Sequence, residues 1–257
     1  MKSSRGRRGK HSRSRRPLLI LAIGMLAIVA TTAYLLLFYL PQQDALAGSS
    51  ATSLSSTSSP PTQEEWKILY VNQGNALVDE SNFSALVTTV KSHGFNTIFF
   101  QVYRSGVLLF TSNELSYFVA TAHTGNISFF FSLYFTDSSQ KIPSSIFNLG
   151  EDGISLDMST LPLSSQLSLL STLRDSYHGG KTAVTTTDFS TTLKPDLLIL
   201  ETYSPADRQY LHQGVIGGVE VLATANRQDY EQQIQYSLAN SDGVMVFDYY
   251  GLALKGY

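Results

Sequence analysis

Eight short β-branched and aromatic runs about 20 to 30 residues apart, helical stretches between some of them, and one long apolar run near the N-terminus predict the fold class. That class is α/β, a trimmed (β/α)8 TIM-type barrel behind a single N-terminal transmembrane helix. Alternation alone also fits an open, doubly wound sheet, which is the alternative architecture.

Residues 1–17 form a basic arm. Lys2, Arg5, Arg7, Arg8, Lys10, Arg13, Arg15 and Arg16 lie there, out of 18 Lys and Arg in all, whereas the 20 Asp and Glu begin only at Asp44. Residues 18–40, LLILAIGMLAIVATTAYLLLFYL, carry no charge, and their length of about 23 residues at about 1.5 Å each crosses a hydrocarbon core of about 30 Å. They predict a signal anchor that partners the lipid bilayer. The basic arm before it places the N-terminus in the cytoplasm and the remainder outside, as a single-pass protein of the cell membrane. The rival reading is a cleaved secretory signal, because residues 45–47 read ALA, but the apolar run exceeds the usual h-region of about 7 to 15 residues.

Residues 41–65 are rich in Ser, Thr and Pro and poor in large apolar side chains, which predicts a tether. Residues 66–257 form the barrel and hold most of the acids. Such an acidic surface excludes nucleic acid as a partner, since phosphate contacts need clustered Lys and Arg. Cys is absent, so an exported barrel must be stabilised by its core.

The predicted strands are 67–73, 96–103, 127–135, 152–158, 181–188, 196–203, 218–224 and 242–250. Several are nearly continuous apolar runs, as strands covered on both faces are. Helices are predicted over 80–94, ending at Gly94, over 164–180, ending at Gly179 and Gly180, and over 226–241. The stretch TDSSQKIPSSIFNLG after the third strand has no helical period, and only FSTTLKP separates the fifth strand from the sixth. Hence the barrel is trimmed.

Working residues of such barrels lie at the carboxyl ends of the strands. On the fourth strand Ser155, Asp157 and Ser159 share one face, opposite Ile154, Leu156 and Met158; packing the apolar face on helices turns Asp157 inward. By the same rule Glu201 and Tyr203 share a face of the sixth. Two carboxylates facing one lumen are the usual equipment for glycoside cleavage, so Asp157 and Glu201 are the candidate catalytic pair. Gln101, Tyr103, Tyr134, Asp188, Tyr203, Asp248 and Tyr249 are candidate sugar contacts, with Asn72, Gln73, Thr224, Asn226 and Tyr250 also at strand ends. Duller roles compete at each: a hydrogen-bonded buried acid for Asp157, a solvated rim acid for Glu201, loop acids or caps for Asp188 and Asp248, core lids for the tyrosines. The 5 His residues are scattered, and there is no metal-ligand spacing, phosphate loop or nucleophile elbow, so no cofactor is expected. Asn82 and Asn126 match glycosylation sequons.

The stretch DGISLDMS (152–159) resembles the D-G-x-D-x-D-x-E strand of the chitinase-like glycoside hydrolases, ETYS (201–204) resembles their M-x-Y-D, and DGVMVFDYY their last strand. GFNTIFFQVYRSG (94–106) is similar to the second strand of glycoside hydrolase-like barrels of uncharacterised function. The resemblance covers most of 67–250 and implies a sugar-binding barrel. It departs where chitinase chemistry lies. Ser159 takes the place of the acid that protonates the glycosidic oxygen, Ser155 replaces an Asp, and Ser204 replaces the Asp beside Tyr203; Asp152, Asp157 and Tyr203 match. A serine hydroxyl is no general acid near neutral pH, so Asp157 and Glu201 must supply any catalysis. The expected function is action on, or binding of, a polysaccharide or other glycan. The alternatives are an inactive carbohydrate-binding or cell-envelope protein on the same barrel, and an envelope scaffold without a cleft.

Overall fold

The computed structural model describes residues 65–72, 78–190, 192–220 and 227–247. All of them fall in the unit Ser59–Tyr257. The basic arm, the apolar run 18–40 and nearly all of the tether lie outside the described residues, as do Gln73, Thr224, Asn226, Asp248, Tyr249 and Tyr250. Among the described residues no helix is long and apolar enough to cross a membrane.

The strands are β1 (Trp66–Val71), β2 (Thr97–Arg104), β3 (Val107–Leu108), β4 (Ser128–Tyr134), β5 (Gly153–Asp157), β6 (Lys181–Thr186), β7 (Leu197–Glu201), β8 (Ile216–Glu220) and β9 (Gly243–Phe247). All but β3 are parallel, in the order β1-β9-β8-β7-β6-β5-β4-β2, and β1 also pairs with β2. That second pairing closes the ring and excludes the open sheet. The short β3 folds back antiparallel on β2.

Alternation divides the core in two. Ile68, Tyr70, Phe99, Phe130, Ala183, Leu197, Ile199, Ile216, Met245 and Phe247 fill the barrel interior. The intervening residues, among them Ile98, Phe100, Ile154, Leu156, Val184 and Val246, pack outward with the helices. Burying each such large side chain stabilises the fold by about 1.5–3 kcal/mol. The interior is plugged at its amino end: Phe130 stacks on Phe99 with ring centroids 4.7 Å apart and meets Trp66 edge-on at 6.3 Å. Gly153 makes room for this plug, since a Cβ there would lie 2.2 Å from the Phe130 ring. Only the carboxyl end is left for a ligand.

Among the described residues four helices flank the ring: α1 (Phe83–Ser92), α2 (Ser112–Thr124), α3 (Leu163–Ser176) and α4 (Arg227–Asn240). In α1, Phe83, Leu86, Val87 and Val90 make one buried stripe. The sequence reading omits α2, although Thr111 and Glu114 form a complete capping box ahead of the buried stripe Leu115, Phe118, Val119 and Ala122. Between β4 and β5 there is only a 3-10 turn, Ser144–Ile146, whose Ile146 fills the outer core, and among the described residues no helix joins β6 to β7. The expected trimming is therefore present. β8 begins at Ile216, before the predicted start at 218, and Gly217 and Gly218 pair with Leu200 and Glu201 inside the ladder.

Candidate active site

Asp157 ends β5 and lies in register with Tyr134 of β4 and Thr185 of β6. Its outward neighbours Ile154, Leu156 and Met158 belong to the outer core, which turns its carboxyl into the barrel as alternation predicts. It is only 6% exposed. Tyr70 Oη donates to Asp157 Oδ2 at 3.4 Å and accepts from Gln101 Nε2 at 3.1 Å. Ser159 Oγ donates to Asp157 Oδ1 at 3.2 Å. Burial pushes the Asp157 carboxyl up to about 6, against the pull of the Ser159 and Tyr70 hydrogen bonds. The Tyr70 hydroxyl is raised well above its ordinary value, by burial and then by Asp157, so it remains a donor.

Glu201 ends β7 and is likewise buried. Burial and then the Asp157 charge push it up to about 7, while the hydroxyls of Tyr203 and Ser159 pull the other way. Ser159 thus donates to Asp157 and lowers the proton affinity of both carboxyls. Tyr203 follows the end of β7, meets the Phe247 ring edge-on at 5.8 Å and has its phenol raised, by burial and then by Glu201.

A cavity of about 230 Å³ opens above these groups, lined by Tyr70, Asn72, Gln101, Arg104, Tyr134, Asp157, Glu201, Tyr203 and Phe247. It brings together both candidate catalytic acids and three of the candidate contacts, Gln101, Tyr134 and Tyr203. Two others go elsewhere. Tyr103 packs in the outer core against Phe135 with ring centroids 5.3 Å apart, because a bulge in β2 shifts the register between Gln101 and Tyr103. Asp188 does not line the cavity; it builds a turn, its amide donating to Thr186 Oγ1 and its carboxylate accepting from the Ser190 amide, both at 2.9 Å. Asp248 and Tyr249 lie outside the described residues. Asp152, the other acid matching the chitinase pattern, sits just before β5 at the opposite end of the barrel, where Oδ2 takes the His123 ring at 2.9 Å and the Phe129 amide at 2.7 Å.

Sequence reasoning missed Tyr70, Arg104, Phe247 and Glu220. Tyr70 and Phe247 sit inside apolar runs, where only the ladder shows that they share the Asp157 face. Glu220 ends β8, two and four residues past the inward Gly218 and Ile216, and its charge reaches Glu201 and Tyr203. Below the carboxyls, Gln101 Oε1, Ser155 Oγ and Thr185 Oγ1 are buried without a hydrogen-bond partner among the described residues. Those residues also contain no cluster of three or more His, Cys, Asp or Glu placed to hold a metal.

Among solved structures, a chitinase from Bacteroides thetaiotaomicron matches with TM-score 0.52 and 13% identity over 73% of this chain and 90% of its own. A GH113 β-mannanase from Alicyclobacillus acidocaldarius matches with TM-score 0.50 and 9% identity, covering 71% of this chain and 86% of that one. The shared fold is the (β/α)8 barrel on which these proteins are built. A glycoside hydrolase family 5 protein from Bacteroides vulgatus has TM-score 0.50 and 12% identity, and the match covers 72% of this chain and 58% of that one. No family profile and no curated protein matches the sequence. At such low identities the glycoside hydrolase-like barrel is shared as an architecture, and the chemistry of this one must be argued from its own mouth.

Proposed function

We propose that this protein is a membrane-anchored, extracytoplasmic glycoside hydrolase acting on a polysaccharide, with Glu201 as the acid and Asp157 as the anionic partner. One observation carries the reading: two buried carboxyls share a small cavity, and their surroundings split their proton affinities. Hydrogen bonds from Ser159 and Tyr70 favour the ionised form of Asp157, whereas burial and the Asp157 charge favour the protonated form of Glu201, which is pushed up to about 7. Glu201 then donates its proton to the glycosidic oxygen as the bond to the anomeric carbon breaks. Asp157 either takes the proton of the attacking water, with inversion, or attacks the anomeric carbon itself to give a glycosyl ester, which a water deprotonated by Glu201 then cleaves, with net retention. Tyr70, Tyr134, Tyr203 and Phe247 supply aromatic faces for the sugar ring. The names of the structural neighbours, a chitinase and a β-mannanase, support a polysaccharide as substrate. The uncharged run 18–40 behind a basic arm supports the anchor and an outward-facing barrel.

The test is a glycan array on the full chain, followed by product analysis on each bound glycan with wild type, Asp157→Asn and Glu201→Gln. Turnover should fall by at least about a hundredfold in either variant, as loss of an acid or base does. Its rate should peak between about pH 6 and about pH 7. Turnover unchanged in both variants would remove the pair from the mechanism. Ser159 in place of the chitinase acid favours a second reading, a carbohydrate-binding protein without turnover, which binding with no product in wild type would establish.

A further inference from the structure

We propose that Arg104 reads a carboxylate on the ligand, so that the sugar bound at this mouth is a hexuronate. This rests on the carbohydrate reading above and names the class of sugar.

The β2 bulge aims the side chain. Gln101 pairs with Ser132, the register then skips Val102, and pairing resumes as Tyr103 with Leu133 and Arg104 with Tyr134. Val102 and Tyr103 both join the outer core, and the reversed alternation brings Arg104 to the cavity beside Tyr134. Bulges beside functional sites re-aim side chains in this way. The backbone under Arg104 is pinned on both sides, by Val107 of β3 and by Tyr134 of β4. The turn that allows this is tight, with Ser105 at φ 50° and Gly106 at φ 93°, and the Ser105 amide donates to Tyr134 O at 3.1 Å.

The guanidinium has no other employment among the described residues. It is the one cation among the described residues lining the cavity, yet it forms neither an ion pair nor a side-chain hydrogen bond. No ion pair joins it to Asp157 or Glu201. A charged fork of donors is thus presented to a cavity whose own acids it does not serve, and the geometry it matches is a planar carboxylate. At about 230 Å³ the cavity is smaller than the roughly 300–1,000 Å³ of sites for drug-sized ligands, so it takes a single ring and leaves that ring's exocyclic group at the rim.

The experiment is an array of matched neutral and uronate-containing oligosaccharides, probed with the full chain as wild type, Arg104→Met and Arg104→Lys. Wild type should bind the uronate member of each pair at least tenfold more tightly. Arg104→Met, with a melting temperature equal to wild type, should lose that preference and keep the neutral signals, and Arg104→Lys should fall between. Neutral glycans bound as tightly as uronates by wild type, or a preference untouched in Arg104→Met, would overturn this inference and leave the carbohydrate reading standing. Absence of binding to every glycan would take down that reading, and this one with it.

Discussion

Asp157 and Glu201 are costly to the fold, and the cost has a sign. The folded chain holds protons on these carboxyls, at about 6 and about 7, that the unfolded chain releases around its ordinary values of 3.8 and 4.5. Stability from this source is therefore complete below about pH 4 and is lost as pH rises through 6 and 7. A tenfold gain in proton affinity on folding corresponds to about 1.4 kcal/mol, so Glu201→Gln should raise the unfolding free energy by about 1–3 kcal/mol at pH 8 and change it little at pH 4. Urea denaturation at the two pH values checks this; equal effects at both would mean that Glu201 is not held protonated. Asp157→Asn should behave alike, and because the Asp157 charge raises Glu201, the double variant should gain less than the sum. Asp157 was legible in the sequence, since an acid between Leu156 and Met158 has one face to take. Arg104 was not: regular alternation sends Tyr103 inward and Arg104 out, and one extra residue at the bulge reverses both.

Elements show the same division between local and non-local information. Helix α1 was readable from its apolar stripe, and α3 from Leu169, Leu170 and Leu173. Helix α2 was missed despite a local signal that suffices to start it: the Thr111 amide donates to Glu114 Oε2 at 2.7 Å, and the Glu114 amide donates to Thr111 Oγ1 at 3.4 Å. Thr111→Ala should therefore destabilise the barrel by about 1 kcal/mol, and Thr111→Ser by much less. The difference should concentrate in the first-turn amides of α2, read by hydrogen exchange. Wild-type protection of those amides in Thr111→Ala would mean that packing of Leu115 and Phe118 alone holds the helix start. The start of β8 was illegible for a physical reason: two glycines are admitted to a buried ladder because Ser237 of α4 and Phe247 crowd their α-carbons, which is a property of the assembled barrel.

At the scale of the molecule, the decisive contact joins the first strand to the last. The ring closes only when β1 pairs with β9, and their register starts at Trp66 opposite Gly243. A Cβ on Gly243 would lie 2.1 Å from the Trp66 carbonyl oxygen and 2.7 Å from Trp66 Cβ, both fixed parts of the opposite strand, so neither can step aside. The same seam carries Tyr70 opposite Phe247, with ring centroids 5.0 Å apart, so it sets the position of the tyrosine that donates to Asp157. Gly243→Ala should consequently do two things at once. It should lower the unfolding free energy by about 1–3 kcal/mol or more, the usual penalty for overpacking. It should also weaken glycan binding at temperatures where the variant is still folded, because prising β9 from β1 moves Phe247 and Tyr70 together. A variant that loses stability while binding every glycan as wild type does would show that the mouth is held by β2 to β8 without the seam.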